Sequence, residues 1–346
     1  MTAARYRFSA TGNSNYGWFG GGSTTLAPVT LTSIVDRIDF FNDILTSSPR
    51  GPLANALQST SATGNSNYGW FFGGGATGVS TIQRIDFSND SATASARGPL
   101  SSVRTSTAAT GNSNYGWIGG SVTTGPTALS IVSRIDFSND LPVALVRGSL
   151  SLARYRFSAT GNSNYGWFGG GTPSLISTVD RINFSNDLIA ASPRGPLSLG
   201  KSDLASTSGQ AKSSSTRLQK SGSYGWFAGG FTSVQVGTVD RIDFSNDSIT
   251  ATPRTSLSAT RHAAASAGNS NYGWFGGAGP AGDTRVDRIN FSNDSATASP
   301  RGPLSLSRGY LAATGNSNYG WFGGGVSGAP VYSRVDRIIF YQLSSC

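Results

Sequence analysis

Cations recurring at one place are the residues here with the plainest chemical potential. Arg5, Arg104, Arg154, Lys201, Arg261 and Arg308 open the same segment of six repeated units, and Leu57 takes that place in the second unit. If the units close into a ring, these six side chains become a circle of positive charge near the mouth of an axial channel. Such a circle attracts anions. Hydrogen bonding of the same groups to backbone carbonyls is the competing, structural reading.

A second set, Arg37, Arg84, Arg134, Arg181, Arg241, Arg288 and Arg337, sits further along each unit. Aspartates close to it in sequence, such as Asp36, Asp39, Asp180 and Asp243, are placed to pair with it. That set reads as a structural ion-pair network. A third set is the repeated Ser-Asn-Asp, with Phe41-Asn42-Asp43 in the first unit, and includes Asp43, Asp90 and Asp140. A calcium loop converges several carboxylates and carbonyls within one segment. A type I turn explains Asn-Asp without an ion, so no metal is expected.

Catalytic sets are thin. His262 is the sole histidine, Cys346 the sole cysteine, and glutamate is absent among 17 acidic residues, all Asp. A Ser-His-Asp or Cys-His arrangement cannot repeat, copper has too few ligands, and a pair of glycosidase carboxylates could come only from turn aspartates. Runs of Gly are not followed by a helix and Lys, so they are not phosphate-binding loops. No enzyme activity and no cofactor are expected.

The elements that hold these residues recur. All seven tryptophans, Trp18, Trp70, Trp117, Trp167, Trp226, Trp274 and Trp321, lie in one phrase, an aromatic run ending in paired glycines such as Tyr16-Gly17-Trp18-Phe19-Gly20-Gly21. The intervals between them are 52, 47, 50, 59, 48 and 47 residues. Periods of this size mark stacked or circular repeats. In the fourth unit, Ala153–Thr160 reads as a first strand, Gly161-Asn162-Ser163-Asn164 as a turn and Tyr165–Phe168 as a second strand. Thr178–Phe184 reads as a third strand and Leu188–Ser192 as a short outer one, with Pro193-Arg194-Gly195-Pro196 as the exit. Four short antiparallel strands in each of seven units describe an all-β, seven-bladed β-propeller forming one domain over residues 1–346. The tryptophans are then core between blades, and Gly166 leaves room for an aromatic ring from an adjacent blade.

The order of Arg154, Trp167, Gly169-Gly170 and Val179-Asp180-Arg181-Ile182-Asn183-Phe184 resembles a kelch repeat. The kelch pattern usually has a tryptophan in its fourth strand, and here that strand is rich in Ser, Thr and Ala. The wording RIDFSND…ASPRGPLS…ATGNSNYGWFGGG also resembles repeat proteins encoded by marine bacteriophages. That likeness implies a virion setting.

Unit lengths vary between the Gly-Gly pair and the third strand. The segments are Ser23–Ser33, Ala76–Ile82, Ser121–Val132, Thr172–Thr178, Phe231–Thr238, Ala278–Arg285 and Val326–Ser333. In an antiparallel blade they share one face with the inter-blade connections, while the uniform Gly-Asn-Ser-Asn and Ser-Asn-Asp turns occupy the other. Recognition is expected on the variable face. The fifth unit carries twelve extra residues, roughly Gly209 to Lys220, whose Lys212, Arg217 and Lys220 are candidates for a protruding contact arm. The last unit stops matching after Val335–Phe340, so its fourth strand is either supplied by Tyr341–Cys346 or left open, inviting another chain.

A net charge of +9 favours anionic partners. With one cysteine there is no internal disulfide. No signal peptide or membrane-spanning run is evident, so a soluble, cytoplasmically assembled protein is expected. The reading that results is a non-enzymatic binding or structural module of a virion. Its partners would be other virion proteins or a host-surface glycan, with homo-oligomers or larger assemblies allowed and nucleic acid not expected. The alternatives are a cellular kelch-type interaction scaffold and a multivalent lectin.

Overall fold

The computed structural model describes residues 1–43, 47–75, 77–123, 127–208, 224–279 and 282–340. Alternation along the second strand decides how the sheets assemble. In Tyr165–Gly169, the Tyr165 and Trp167 side chains face the following blade and Phe168 the preceding one, so each sheet is apolar on both faces. Seven such sheets stand around an axis. Six have four antiparallel strands, and the seventh has three among the described residues. First strands of neighbouring blades touch in a closed circle, the seventh against the first.

Blade 1 is Ser9–Gly12, Tyr16–Gly20, Val35–Asp39 and Ser48–Arg50, paired in that order. Blade 7 is Ala312–Gly315, Tyr319–Gly323 and Val335–Ile339. The seven-bladed propeller expected from the period is therefore what the chain forms.

Between blades lies a repeated stack. Trp18 lies on Phe87 of blade 2 with ring centres 3.9 Å apart and planes 7° from parallel. The stack recurs at every seam and closes with Trp321 on Phe40 at 4.1 Å. Every tryptophan is at most 1% exposed. Burial of an aromatic ring of this size contributes about 2–3 kcal/mol, and the seven seams share it evenly.

Glycine makes the fit, although its use is divided. A Cβ on Gly169 would lie 2.9 Å from the Phe227 ring of the next blade, so the strand's last glycine admits the neighbouring aromatic. Gly166 instead makes room for the Thr110 methyl group of the preceding blade, at 2.6 Å, and for Phe184 of its own.

Three local expectations shift. The first strand of blade 4 is Ser158–Gly161, shorter than expected, because Arg154-Tyr155-Arg156 turn away to form the channel mouth. The fourth strand is Ser192–Arg194 rather than Leu188–Ser192. Pro193 sits within it opposite Asp180, where an outermost strand has no further neighbour needing its N–H. Of the variable segments, Ser23–Ser33 contains its own hairpin, Ser23–Leu26 with Val29–Leu31. Much of Ser121–Val132 is a continuation of the second and third strands of blade 3, which run Tyr115–Val122 and Ala128–Asp136. The proposed arm with Lys212, Arg217 and Lys220, and the tail Tyr341–Cys346, lie outside the described residues.

Candidate binding site at the channel mouth

The six cations that open the units do not line the channel. Arg5, Arg104, Arg154, Lys201, Arg261 and Arg308 are all 0% exposed. Each lies inside its own blade, across the ends of the second and third strands. Arg154 donates to the carbonyls of Thr178 at 3.1 Å and Phe168 at 2.9 Å, and to the Asp180 carboxylate at 2.8 Å. Arg5 pairs with Asp36 at 2.7 Å, Lys201 with Asp240 at 3.0 Å, Arg261 with Asp287 at 2.7 Å, and Arg308 with Asp336. The anion ring is thus corrected to five internal ion pairs and one exception. Water and a free anion cannot reach a guanidinium that carbonyls and a carboxylate already enclose. Burial lowers the pKa of Arg5 to about 10, opposed by Asp36.

The exceptions obey the same electrostatics. Arg104 has no carboxylate and donates to the Ser133 hydroxyl at 2.6 Å and to two carbonyls. Burial alone lowers its pKa to about 10. In blade 2, where Leu57 replaces the cation, Gln83 replaces the aspartate. A buried charge left without its partner is costly; blade 2 lacks both members of the pair, and blade 3 satisfies its lone cation with hydroxyls and carbonyls.

The third-strand arginines do form an ion-pair network, with partners other than those expected. Arg84 reaches Asp140 of the next blade at 3.2 Å, and Arg97 of the fourth strand reaches the same carboxylate at 3.4 Å. The Trp70 indole N–H donates to it at 2.8 Å. Asp39 and Asp243 instead accept backbone N–H groups within their own turns. The Ser-Asn-Asp aspartate is therefore a clamp between blades. No group of three or more His, Cys or Asp residues that could hold a metal occurs among the described residues. The fourth-strand arginines escaped the sequence reading, although a constant interval of seven residues ties each one to the aspartate before it, as from Asp43 to Arg50 and from Asp187 to Arg194.

What surrounds the channel mouth lies two positions beyond the buried cations. Arg7, Ser59, Ser106, Arg156, Asp203, Ala263 and Tyr310 all have φ between 50° and 55°. Each backbone N–H donates to the carbonyl of its counterpart in the preceding blade. The circle runs from Ser59 to Arg7, then through Ser106, Arg156, Asp203, Ala263 and Tyr310, and closes from Arg7 back to Tyr310, with bonds of 2.7–3.3 Å. A left-handed conformation costs a non-glycine residue about 1 kcal/mol, and this ring of bonds holds all seven in it. Not one is glycine, the residue that would adopt it with least strain.

The rim is chemically uneven. The Arg7 guanidinium lies 5.1 Å from the centre of the Tyr310 ring, and Arg156 lies 5.9 Å from that of Tyr155. His262 has Phe231 at 5.3 Å and Tyr310 at 6.3 Å. Burial lowers the His262 pKa, which Asp203 opposes and Arg156 reinforces. Variable segments reach this rim through bridges such as Tyr155 with Thr172 and Ser202 with Phe231. Below it, a cavity of 250 Å³ is lined by Ala, Ser and Thr with Phe157 and Leu204. The opposite end opens into a cavity of 580 Å³ lined by Thr, Gly, Asn, Ser and Ala without a charged side chain. The channel's wider end thus has no charged lining, while the rim at the variable end carries Arg7, Arg156 and Asp203.

No protein-family model matches the chain. No curated protein matches it either. Among solved structures, one titled "Structure of YjhT" aligns with a TM-score of 0.61 and 12% identity, covering 82% of this chain and 95% of that one. At that identity the likeness speaks for the fold alone. No helix among the described residues is long and apolar enough to cross a membrane. From its own sheets and from this likeness, the chain is a seven-bladed β-propeller.

Proposed function

We propose that the protein is a non-enzymatic, virion-associated binding module that attaches to a host-surface glycan through the rim of its channel. One observation carries this reading. Seven residues are held in a strained conformation around the mouth, and each retains a side chain there. Strain of this kind gathers at binding sites, where a rigid scaffold over-determines the backbone. Acidic sugars fit the chemistry best. Arg7 and Arg156 supply charge for a carboxylate, while Tyr155 and Tyr310 offer ring faces to the sugar. The lone His262 and the absence of glutamate support a module that binds without catalysis. Within the propeller fold we read the repeats as kelch-type, on the order of Arg154, Trp167, Gly169-Gly170 and Asp180.

A glycan array with the wild-type protein and an Arg7→Ala/Arg156→Ala variant tests this. Binding to acidic glycans that falls at least roughly tenfold in the variant is expected, since a charged hydrogen bond is worth about 1.5–3 kcal/mol. An array without hits, or hits indifferent to both arginines, refutes the rim as a glycan site. Detection of the protein in purified virus particles tests the virion setting separately.

A further inference from the structure

Most of the outer edges are closed to further pairing. The fourth strands of blades 1, 4, 5 and 6 put Pro49, Pro193, Pro253 and Pro300 at one register position, opposite Asp36, Asp180, Asp240 and Asp287. At that position the backbone nitrogen faces away from the sheet. The next residue is the one that bonds inward, as Arg301 does to the Val286 carbonyl at 2.7 Å. Proline there removes the outward donor, which keeps an edge strand from pairing with another chain.

Blade 3 lacks this guard. Its fourth strand is Leu145–Arg147, and Val146 takes the proline's place, opposite Ser133. Val146 therefore keeps an outward N–H and C=O. The flanking outward positions, Ala144 and Gly148, spend their N–H groups on the Pro99 and Asp187 carbonyls at 2.9 and 2.8 Å. Blade 2 also lacks proline, with Ala96, yet its surface there is Ser91, Thr93 and Ser95. In blade 3 the same three positions are Leu141, Val143 and Leu145, which are 67%, 54% and 51% exposed, and Val146 is 55% exposed.

Apolar surface continues across the seam. Pro142 lies against Gly98 of blade 2, and Ile189 of blade 4 lies against Gly148, so the edge strand runs between two apolar flanks. Leu188 and Ile189 are 71% and 64% exposed. Together with the four residues of blade 3 they present roughly 650 Å² of surface, above what most monomers expose in one apolar patch and close to the roughly 800 Å² per partner of a stable interface. No charge lies in Leu141–Val146 or Leu188–Ala190, and Arg147 is held by Asp187 at 3.3 Å. Two molecules of net charge +9 can thus meet here without opposing like charges.

We propose that this patch receives a second copy of the chain. Leu145–Arg147 pairs antiparallel with its counterpart about a two-fold axis, so that each Val146 donates its N–H to the other's carbonyl. Such a surface is complementary to itself, as a two-fold dimer requires. The backbone bonds set the register, and the aliphatic flanks supply the attraction. A lipid surface would instead leave the Val146 N–H and C=O without partners.

Sedimentation velocity of the 346-residue protein from about 1 to 100 µM should show a monomer–dimer equilibrium. Val146→Pro copies the other blades and should weaken dimerisation at least roughly tenfold, with the thermal midpoint of the monomer retained. Leu141→Ser/Leu145→Ser, which copies blade 2, should act in the same way. In a Cys346→Ser background, Val146→Cys should yield a disulfide-linked dimer on mild oxidation, because paired Cα atoms about 5.5 Å apart suit a disulfide. Ala96→Cys in that background should not. A protein that stays monomeric over this range, a dimer indifferent to Val146→Pro, or equal crosslinking at the two sites overturns the proposal.

Discussion

Asp43 in the first blade accepts the indole N–H of Trp321 in the seventh at 2.7 Å, joining residues 278 positions apart. With the Trp321–Phe40 stack, this bond closes the ring at the seam where the chain itself does not continue from blade to blade.

Closure and interior seams should differ in strength. Asp140 takes Trp70, Arg84 and Arg97 and is 4% exposed, so Asp140→Ala should cost about 3–5 kcal/mol. Among the described residues Asp43 takes Trp321 and Arg337, and Arg337 is 41% exposed and screened. Asp43→Ala should therefore cost less, about 1–3 kcal/mol, mostly for the stranded indole. Denaturant midpoints of the two variants check the ordering.

Blade 2 shows how a buried pair can be removed. Arg154→Leu alone leaves Asp180 buried without its cation and should destabilise by about 3–5 kcal/mol. Arg154→Leu with Asp180→Gln copies Leu57 and Gln83 and should recover most of that loss. A double-mutant cycle from equilibrium unfolding measures the coupling; additive effects would contradict the pairing.

His262 carries a pH dependence whose sign follows from burial. Its folded pKa lies below 6.5, so the unfolded chain takes up the proton first as pH falls. Its contribution is fully present above 6.5 and is lost between that value and the lowered folded pKa. His262→Gln should flatten the stability profile in that window. Midpoints measured from pH 7.5 down to 5 would reveal it, and a profile unchanged by the substitution would contradict the burial assigned to this ring.

How much of this was legible beforehand follows from the range of each interaction. Tryptophan period, paired glycines and Gly-Asn-Ser-Asn turns specify seven antiparallel units, because strand alternation and turn chemistry act over a few residues. Local pattern could not say which way Arg154 points. A charge at a strand's entry can face a channel or fold back onto carbonyls, and only the packed blade, with Asp180 2.8 Å away, selects the second. The partner of Arg84 was likewise hidden, since Asp140 lies 56 residues on and belongs to another sheet. The rim of Arg7, Arg156 and Tyr310 exists only once seven backbones meet, because the backbone hydrogen bonds that hold its seven residues run from blade to blade. Sequence determined the unit and its number; the closed ring decided which charges are buried, which are shared and which face outward, because those outcomes depend on neighbours that only closure brings together.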